Sequence, residues 1–125
     1  MSAWSPAELD TFGNTDELQI SSDRGDGERT APITIWAVPV GGQVYVRSVR
    51  GRKGGWFSGA KAKGSGHVQI GAIDRDVTFE PVSDPQLQDQ ISKAYQDKYA
   101  RYAKQIVDST LSPQALQATL RVDPS

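Results

Sequence analysis

The hydrophobic and polar positions of the first two thirds of the chain alternate with a period of two, the spacing typical of β-strands. This alternation, bounded by glycine-rich and aspartate-rich turns, predicts strands at about 17–22, 33–38, 43–49, 66–73 and 77–82. The stretch 33–38 is apolar on both faces, which predicts a central strand buried on two sides. Gly41-Gly42 predicts a tight hairpin between the second and third of these strands.

The predicted strand 66–73 separates its side chains clearly between two faces. Val68, Ile70 and Ala72 alternate on one face, and His67 and Gln69 alternate on the other. We therefore expect His67, the one histidine of the sequence, to point away from the core towards solvent.

The pattern is helical at both ends of the chain. Ser5, Pro6 and Glu8 have the spacing of a helix start, with a capping serine, a first-turn proline and a capping-box glutamate. After Asp84-Pro85 the apolar residues recur at helical spacing, which predicts a long amphipathic helix capped by Asp84. A short helical piece around Ile106 and a final strand over 119–122 complete the prediction.

These elements predict one domain over residues 1–125, α+β in content, built as a small antiparallel β-barrel with helices packed on it. The predicted divisions are a helix and lead-in at 1–16, barrel strands at 17–83, a helical region at 84–111 and a C-terminal strand at 116–123. A barrel also removes the exposed edges that many short strands would otherwise create.

Composition excludes several classes of function. The sequence has no cysteine and one histidine, so neither a transition-metal site nor thiol chemistry is predicted. Neither a signal-peptide pattern nor an apolar run long enough for a membrane span is present, so we expect a cytoplasmic protein. The formal net charge of −1 argues against a general nucleic-acid binder.

The positive charge is nevertheless concentrated in one place. Six basic residues and no acidic one lie between positions 47 and 63. Arg47, Ser48 and Arg50 are candidates for holding an anion, because a guanidinium grips phosphate or carboxylate through two parallel bonds. Gly51 would let backbone N–H groups approach the same anion. Lys98, on the long helix, is a further candidate.

Aromatic residues accompany this basic segment. Trp56 and Phe57 lie within it, between Lys53 and Lys61, and Trp36 lies on the predicted central strand. Each is compatible with ordinary core packing or with a wall for a planar ring, since aromatic side chains stack well on heterocycles.

Taken in order, short motifs along nearly the whole chain resemble a small bacterial family, domain of unknown function 2255. They are Glu17-Leu18-Gln19-Ile20, Pro32 to Trp36, Val44 to Ser48 with Arg50-Gly51 and Trp56, Val77-Thr78-Phe79, Ala94-Tyr95 with Lys98-Tyr99, and Thr119-Leu120-Arg121. This family resemblance by itself implies no function.

A looser resemblance connects the segment from Gly27 to Trp36, its following hairpin strand and the glycine turn before Trp56 with split-barrel flavin and deazaflavin proteins. Deazaflavin-dependent nitroreductases and pyridoxamine-phosphate-oxidase-like proteins belong to this group. The resemblance implies an FMN-binding split-barrel fold, a homodimer, and bound FMN or a deazaflavin (coenzyme F420). Carried over, the cofactor ring would be bordered by Arg29, Thr30, Pro32 and Trp36, and the phosphate would be held by Arg47, Ser48, Arg50 and Gly51.

The sequence departs from that group between Asp23 and Glu28, where three carboxylates replace a basic run. Three hypotheses therefore remain. The first is an oxidoreductase that uses a flavin or deazaflavin. The second is a non-enzymatic barrel that binds a phosphorylated or carboxylated small ligand. The third is a single-stranded nucleic-acid binder that uses the basic strip 47–63.

Overall fold

One antiparallel sheet, closed into a split barrel, contains every strand of the described chain. The structure is a computed structural model that describes residues 4–23, 27–49, 57, 59–60 and 63–125. The strands are β1 (Leu18–Ser22), β2 (Ile33–Ile35), β3 (Ala37–Val40), β4 (Gln43–Arg47), β5 (Ser65–Ile70), β6 (Ile73–Pro81) and β7 (Thr119–Pro124). They lie in the order β2-β1-β5-β6-β7-β4-β3. The predicted fold class, an α+β split barrel, is confirmed.

The prediction of one central strand over 33–38 is wrong. The chain breaks at Trp36, and the two halves pair with different strands, Ile35 of β2 with Leu18 and Ala37 of β3 with Val46. The strands β2 and β3 are the two end strands of the sheet, so Trp36 joins them and closes the barrel. An apolar run specifies a strand but not its neighbours, and Ile33 is in fact 40% exposed.

Two hairpin turns set the strand ends. Gly41 and Gly42 have positive φ angles of 58° and 84°, which confirms the predicted hairpin between β3 and β4. The predicted strand 66–73 is shorter than expected, because Gly71, with a φ of 55°, and Ala72 form a turn before β6 begins. Ala72 therefore lies in a turn and not in the inward row of β5.

The helices of the described chain are α1 (Pro6–Asn14), α2 (Pro85–Lys98), α3 (Lys104–Ser109) and α4 (Pro113–Leu116). The predicted capping box is confirmed, since Glu8 N–H donates to Ser5 Oγ and Ser5 N–H donates to the Glu8 carboxylate. Asp84 caps α2, and α3 contains Ile106, both as predicted. The short helix α4 was not predicted.

Buried side chains form two clusters, one inside the barrel and one between the barrel and α2. The first contains Phe12, Leu18 and Val68, and the second contains Tyr45, Tyr95 and Tyr99. The long helix therefore packs its tyrosine-bearing face on the outside of β3 and β4. Across the described ranges, the helices are all too short or too polar to cross a membrane.

Candidate functional site

The guanidinium of Arg47 lies in the protein interior, where it donates five hydrogen bonds. Arg47 Nε donates to Thr119 Oγ1 at 3.0 Å, and Nη1 donates to Ser92 Oγ at 3.0 Å and to the Thr110 carbonyl at 2.9 Å. Nη2 donates to the carbonyl and to Oε1 of Gln88 at 3.1 and 2.7 Å. A guanidinium has five N–H groups, so these contacts use all of them.

The surroundings of Arg47 are neutral. It is 2% exposed, and no described carboxylate pairs with it. Burial lowers the pKa of Arg47, while the ring of Tyr95 lies 5.5 Å from its guanidinium carbon. Ser48 is equally buried, and its backbone N–H donates to the Ala118 carbonyl. An external anion would reach these two residues only after displacing protein partners.

The predicted ring-border residues Arg29 and Thr30 lie together beside the end of β1. Thr30 N–H donates to the Ser22 carbonyl at 2.9 Å, and Ser22 N–H donates to Thr30 Oγ1 at the same distance. Arg29 pairs with Asp23 at 2.7 Å and with Asp76 at 2.9 Å. Arg29 is therefore already neutralised by two carboxylates.

His67 completes this charged cluster on the outer face of the sheet. Its Nδ1 lies 2.8 Å from Asp76 Oδ1, and its Nε2 contacts Asp74 Oδ1. The hydrogen bond with Asp76 raises the pKa of His67, and the contact with Asp74 acts in the same direction. The side chain is on the outward face, as predicted, but it is 28% exposed and bonded at both nitrogens rather than free in solvent.

Strand β2 and Pro32, which directly precedes it, form an exposed edge of the barrel. One side of β2 pairs with β1, and within the described residues no strand pairs with its other side. Pro32 and Ile33 are exposed, which places apolar surface next to unpaired backbone groups. Trp36, at the end of this edge, stacks on Tyr99 with ring centroids 3.9 Å apart and planes 3° apart.

Lys98, a candidate anion ligand, donates to two backbone carbonyls in this structure. Its Nζ donates to the carbonyls of Phe12 and Ala37 at 2.5 and 2.6 Å, which ties α2 to the end of α1 and to β3. Burial lowers the pKa of Lys98 to about 8. The ammonium lies 4.9 Å from the ring centroid of Tyr99.

The predicted residues thus fall into separate places. Arg29 and Thr30 lie beside the end of β1, and Pro32 lies on the exposed edge at β2. Trp36 and Lys98 both contact Tyr99, and Arg47 and Ser48 are buried. The predictions for Arg50, Gly51 and Trp56 lie outside the described residues. Phe57 belongs to the barrel core.

Two partners of Arg29 were missed from the sequence. Asp76 is 47 positions from Arg29, and only the pairing of His67 with Asp76 across β5 and β6 brings it close. Asp74 and Asp76 lie between the predicted strands 66–73 and 77–82, whereas β6 begins at Ile73 and includes both, so their shared face was not predicted. Asp23 is one of the three carboxylates that replace a basic run in the sequence, and the sequence gives no sign that it pairs with Arg29.

A polar cleft of about 650 Å³ opens elsewhere, between the end of α1, the β5–β6 turn and the residues after α2. Asp16, Glu17, Gln69 and Tyr102 are among its lining residues, and none of the predicted site residues that the structure describes lines it. Tyr102 donates a hydrogen bond to Asp16, which Arg101 also contacts.

The family model of uncharacterized proteins conserved in bacteria, DUF2255, matches residues 8–122. The chain belongs to this family. The sequence-based resemblance to DUF2255 is thereby confirmed over almost the whole length. No curated protein sequence matches the chain.

This DUF2255 chain is similar to several solved structures. HutZ, the heme storage protein of Vibrio cholerae, aligns with a TM-score of 0.72 and 11% identity, over 96% of this chain and 89% of that one. A candidate pyridoxamine 5'-phosphate oxidase of Listeria innocua gives 0.62 and 12%, over 94% and 88%. An FAD-binding protein of Mesorhizobium loti gives 0.51 and 14%, over 98% and 89%. At these identities the similarity shows the split-barrel fold alone.

Proposed function

We propose that this DUF2255 protein binds a flavin-type cofactor, FMN or a deazaflavin, along β2 and uses it to reduce a small molecule. The observation that carries the proposal is the exposed edge of β2, where apolar Pro32 and Ile33 lie beside a strand edge that no other described strand pairs with. A planar heterocycle with a polar rim fits such an edge, because its faces need apolar contact and its rim needs backbone donors and acceptors.

Contacts at both ends of this edge support a preorganised ring site. Two hydrogen bonds between Ser22 and Thr30 fix the approach to β2, and the stack of Trp36 on Tyr99 fixes its end. The backbone from Thr30 to Trp36 is therefore held at both ends while remaining open to solvent between them.

The phosphate half of the proposal rests on other residues. Arg29, Arg47 and Lys98 all bond to protein groups, so in this conformation they do not fit a phosphate. We assign the phosphate to Arg50 and to the backbone near Gly51, on the basis of the sequence alone.

When bound, a flavin or deazaflavin would supply the hydride chemistry. The chain's own part is to present apolar contact at Ile33, to hold the rim with the β2 backbone, and to exclude water on that side. The proposal includes a homodimer, in which a second copy would cover the cofactor along the exposed β2 edge.

The test is a fluorescence titration of the purified protein with FMN and with the deazaflavin. Ile33→Glu should weaken binding at least about tenfold, because it places a charge against the ring and loses apolar contact. The matched control is Ile106→Glu, since Ile106 is a similarly exposed apolar residue, on α3. Absence of binding to either cofactor at tens of micromolar, or equal effects of the two variants, would contradict the proposal.

A non-redox small-ligand binder is the second candidate. It is favoured by the ion pairs of Arg29 with Asp23 and Asp76, which leave this predicted ring-border residue without free positive charge for a bound cofactor. This candidate predicts that a phosphorylated or carboxylated ligand binds without any oxidation of a nicotinamide donor. Turnover of NADH or NADPH by the cofactor-loaded protein would decide against it.

Heme should be included in the same titrations because HutZ is described as a heme storage protein. An imidazole ligand to iron needs a nitrogen with a free lone pair, whereas both nitrogens of His67 face carboxylates. We therefore expect heme to bind more weakly than FMN, and His67→Gln to leave any heme binding unchanged.

A further inference from the structure

The cluster around Arg29 connects parts of the barrel that are not sheet neighbours. Arg29 follows β1 in the chain, yet its Nη2 donates to Asp76 of β6, with β5 lying between β1 and β6. Arg29 Nε donates to Asp23, and the other oxygen of Asp23 accepts from Ser65 Oγ at 2.7 Å. The Arg29 side chain thus crosses the outer face of β5.

Asp76 binds the end of the Arg29 side chain on the far side of β5. Its Oδ1 accepts from Arg29 Nη2 at 2.9 Å and lies 2.8 Å from His67 Nδ1, so one oxygen is shared by two side chains. The position of His67 is fixed by the sheet, because it is the direct cross-strand partner of Asp76. His67 therefore orients the Asp76 carboxylate that Arg29 contacts.

The Arg29 side chain, by spanning β5, restrains the segment that is proposed to border the cofactor. Arg29 directly precedes Thr30, and a backbone bridge joins Arg29 to Asp23. The contact with Asp76 holds the Arg29 side chain and so limits the movement of the Arg29 backbone. The next residue is Thr30, so the position of the Thr30 N–H that donates to Ser22 is limited as well.

We propose that Asp76 is a positioning residue, which holds Arg29 across β5 and thereby keeps Thr30 and the start of the β2 edge in the conformation that receives a ligand. The ligand part of this inference rests on the proposed function, and the conformational part does not. Asp76 itself touches no proposed ligand position.

A matched control for Asp76 lies two residues away on the same strand. Asp74 and Asp76 both contact His67, and their side chains are 64% and 62% exposed, but only Asp76 contacts Arg29. Asp76→Asn and Asp74→Asn are isosteric and remove one charge each. The two variants therefore differ in one respect, which is that only Asp76→Asn weakens the contact with Arg29.

The first measurement is amide hydrogen exchange by NMR, without cofactor. The ratio of Thr30 exchange to Ser48 exchange separates local loosening from global unfolding, because Ser48 N–H donates to Ala118 away from the cluster. Asp76→Asn should raise this ratio about two- to fivefold, as expected for loss of an exposed ion pair. Asp74→Asn should leave the ratio unchanged.

The second measurement is the cofactor titration of the same proteins. Asp76→Asn should raise the Kd for the bound cofactor about two- to fivefold, and Asp74→Asn should not. Arg29→Gln should raise the Thr30 ratio at least as much as Asp76→Asn, because it removes the ion pair with Asp23 as well as the one with Asp76. Adding Asp76→Asn to Arg29→Gln should raise the ratio no further, since the contact between the two side chains is already lost.

The outcomes separate the two proposals. A raised Thr30 ratio in a protein that binds neither FMN nor the deazaflavin would keep the positioning role and refute the proposed function. Equal Thr30 ratios for Asp76→Asn and Asp74→Asn would overturn the positioning role, whatever the cofactor does.

Discussion

The Arg47 guanidinium and Gln88 meet through two hydrogen bonds, one to the Gln88 carbonyl and one to its side-chain oxygen, at 3.1 and 2.7 Å. Gln88 in turn donates through Nε2 to the carbonyls of Val82 and Leu116. This pair joins β4 to α2 and to the residues before β7. A charged side chain is tolerated in this interior because all five of its donors have acceptors.

Replacement of Arg47 by Met should lower the free energy of unfolding by roughly 3 kcal/mol, because several buried acceptors then lose their donor. Arg47→Lys should fall between Met and wild type, since an ammonium has three donors in place of five. Urea unfolding at neutral pH measures the change. Arg101→Met is the control, because the Arg101 side chain is 62% exposed. Equal losses for Arg47→Met and Arg101→Met would refute a special role of the buried network.

Gly66 allows the close approach of β5 to β1. A Cβ at this position would lie 2.2 Å from the Ser21 carbonyl oxygen and 2.9 Å from the Phe79 ring. Gly66→Ala should therefore destabilise the protein by about 1–3 kcal/mol or more, the range for overpacking. The readout is the urea midpoint at constant m-value.

Gly13→Ala is the matched control for that substitution. A Cβ at Gly13 would meet only Pro39, at 3.6 Å, which is an ordinary contact. Since Gly13 lies in α1, alanine should stabilise by about 0.5–1 kcal/mol. If both alanine variants moved the midpoint in the same direction, the steric explanation for Gly66 would be wrong.

His67 should make stability depend on pH near neutrality. Hydrogen bonding to Asp76 raises the pKa of His67 above its ordinary value of 6.5, so the folded state holds this proton more tightly than the unfolded state. The contribution is fully present below pH 6.5 and is lost as the pH rises through the folded pKa. Unfolding measurements from pH 5.5 upwards should show this loss in wild type and not in His67→Gln. A pH profile unchanged by His67→Gln would exclude the effect.

At higher pH, Lys98 should make stability increase with pH, which is the opposite of the effect expected from His67. Burial lowers the pKa of Lys98 from 10.5 to about 8, so above pH 8 the unfolded state holds a proton that the folded state has released. Stability should then rise with pH. Tyr95 and Tyr99 limit the usable window to below pH 10, because burial raises the pKa of both phenols above 10.0 and stability falls once they ionise in the unfolded chain.

The measurement is urea unfolding at pH 8.0, 9.0 and 9.5 with Lys98→Met as the comparison. The rise in the free energy of unfolding with pH should be absent from Lys98→Met, which has no titrating group at this position. If the variant and the wild type showed the same slope, another group would be responsible.

The sequence by itself determined the local features. The Ser5–Glu8 capping box, the Asp84 cap and the Gly41-Gly42 hairpin depend on residues within a few positions of one another, and all are present. The alternation of Val68 and Ile70 likewise placed the inward face of β5 correctly. The ordered motifs from Glu17 to Arg121 were enough to identify the DUF2255 family.

Only the tertiary structure decided which strands meet. The apolar run 33–38 carries no information about its neighbours, so the break at Trp36 became visible only with the strand order. Arg47 looked like an anion ligand because alternation shows a face but not the acceptors that α2 brings to it. Asp76 reaches Arg29 only through pairing of β5 with β6. Such contacts depend on chain segments that are far apart in sequence, and local patterns do not encode them.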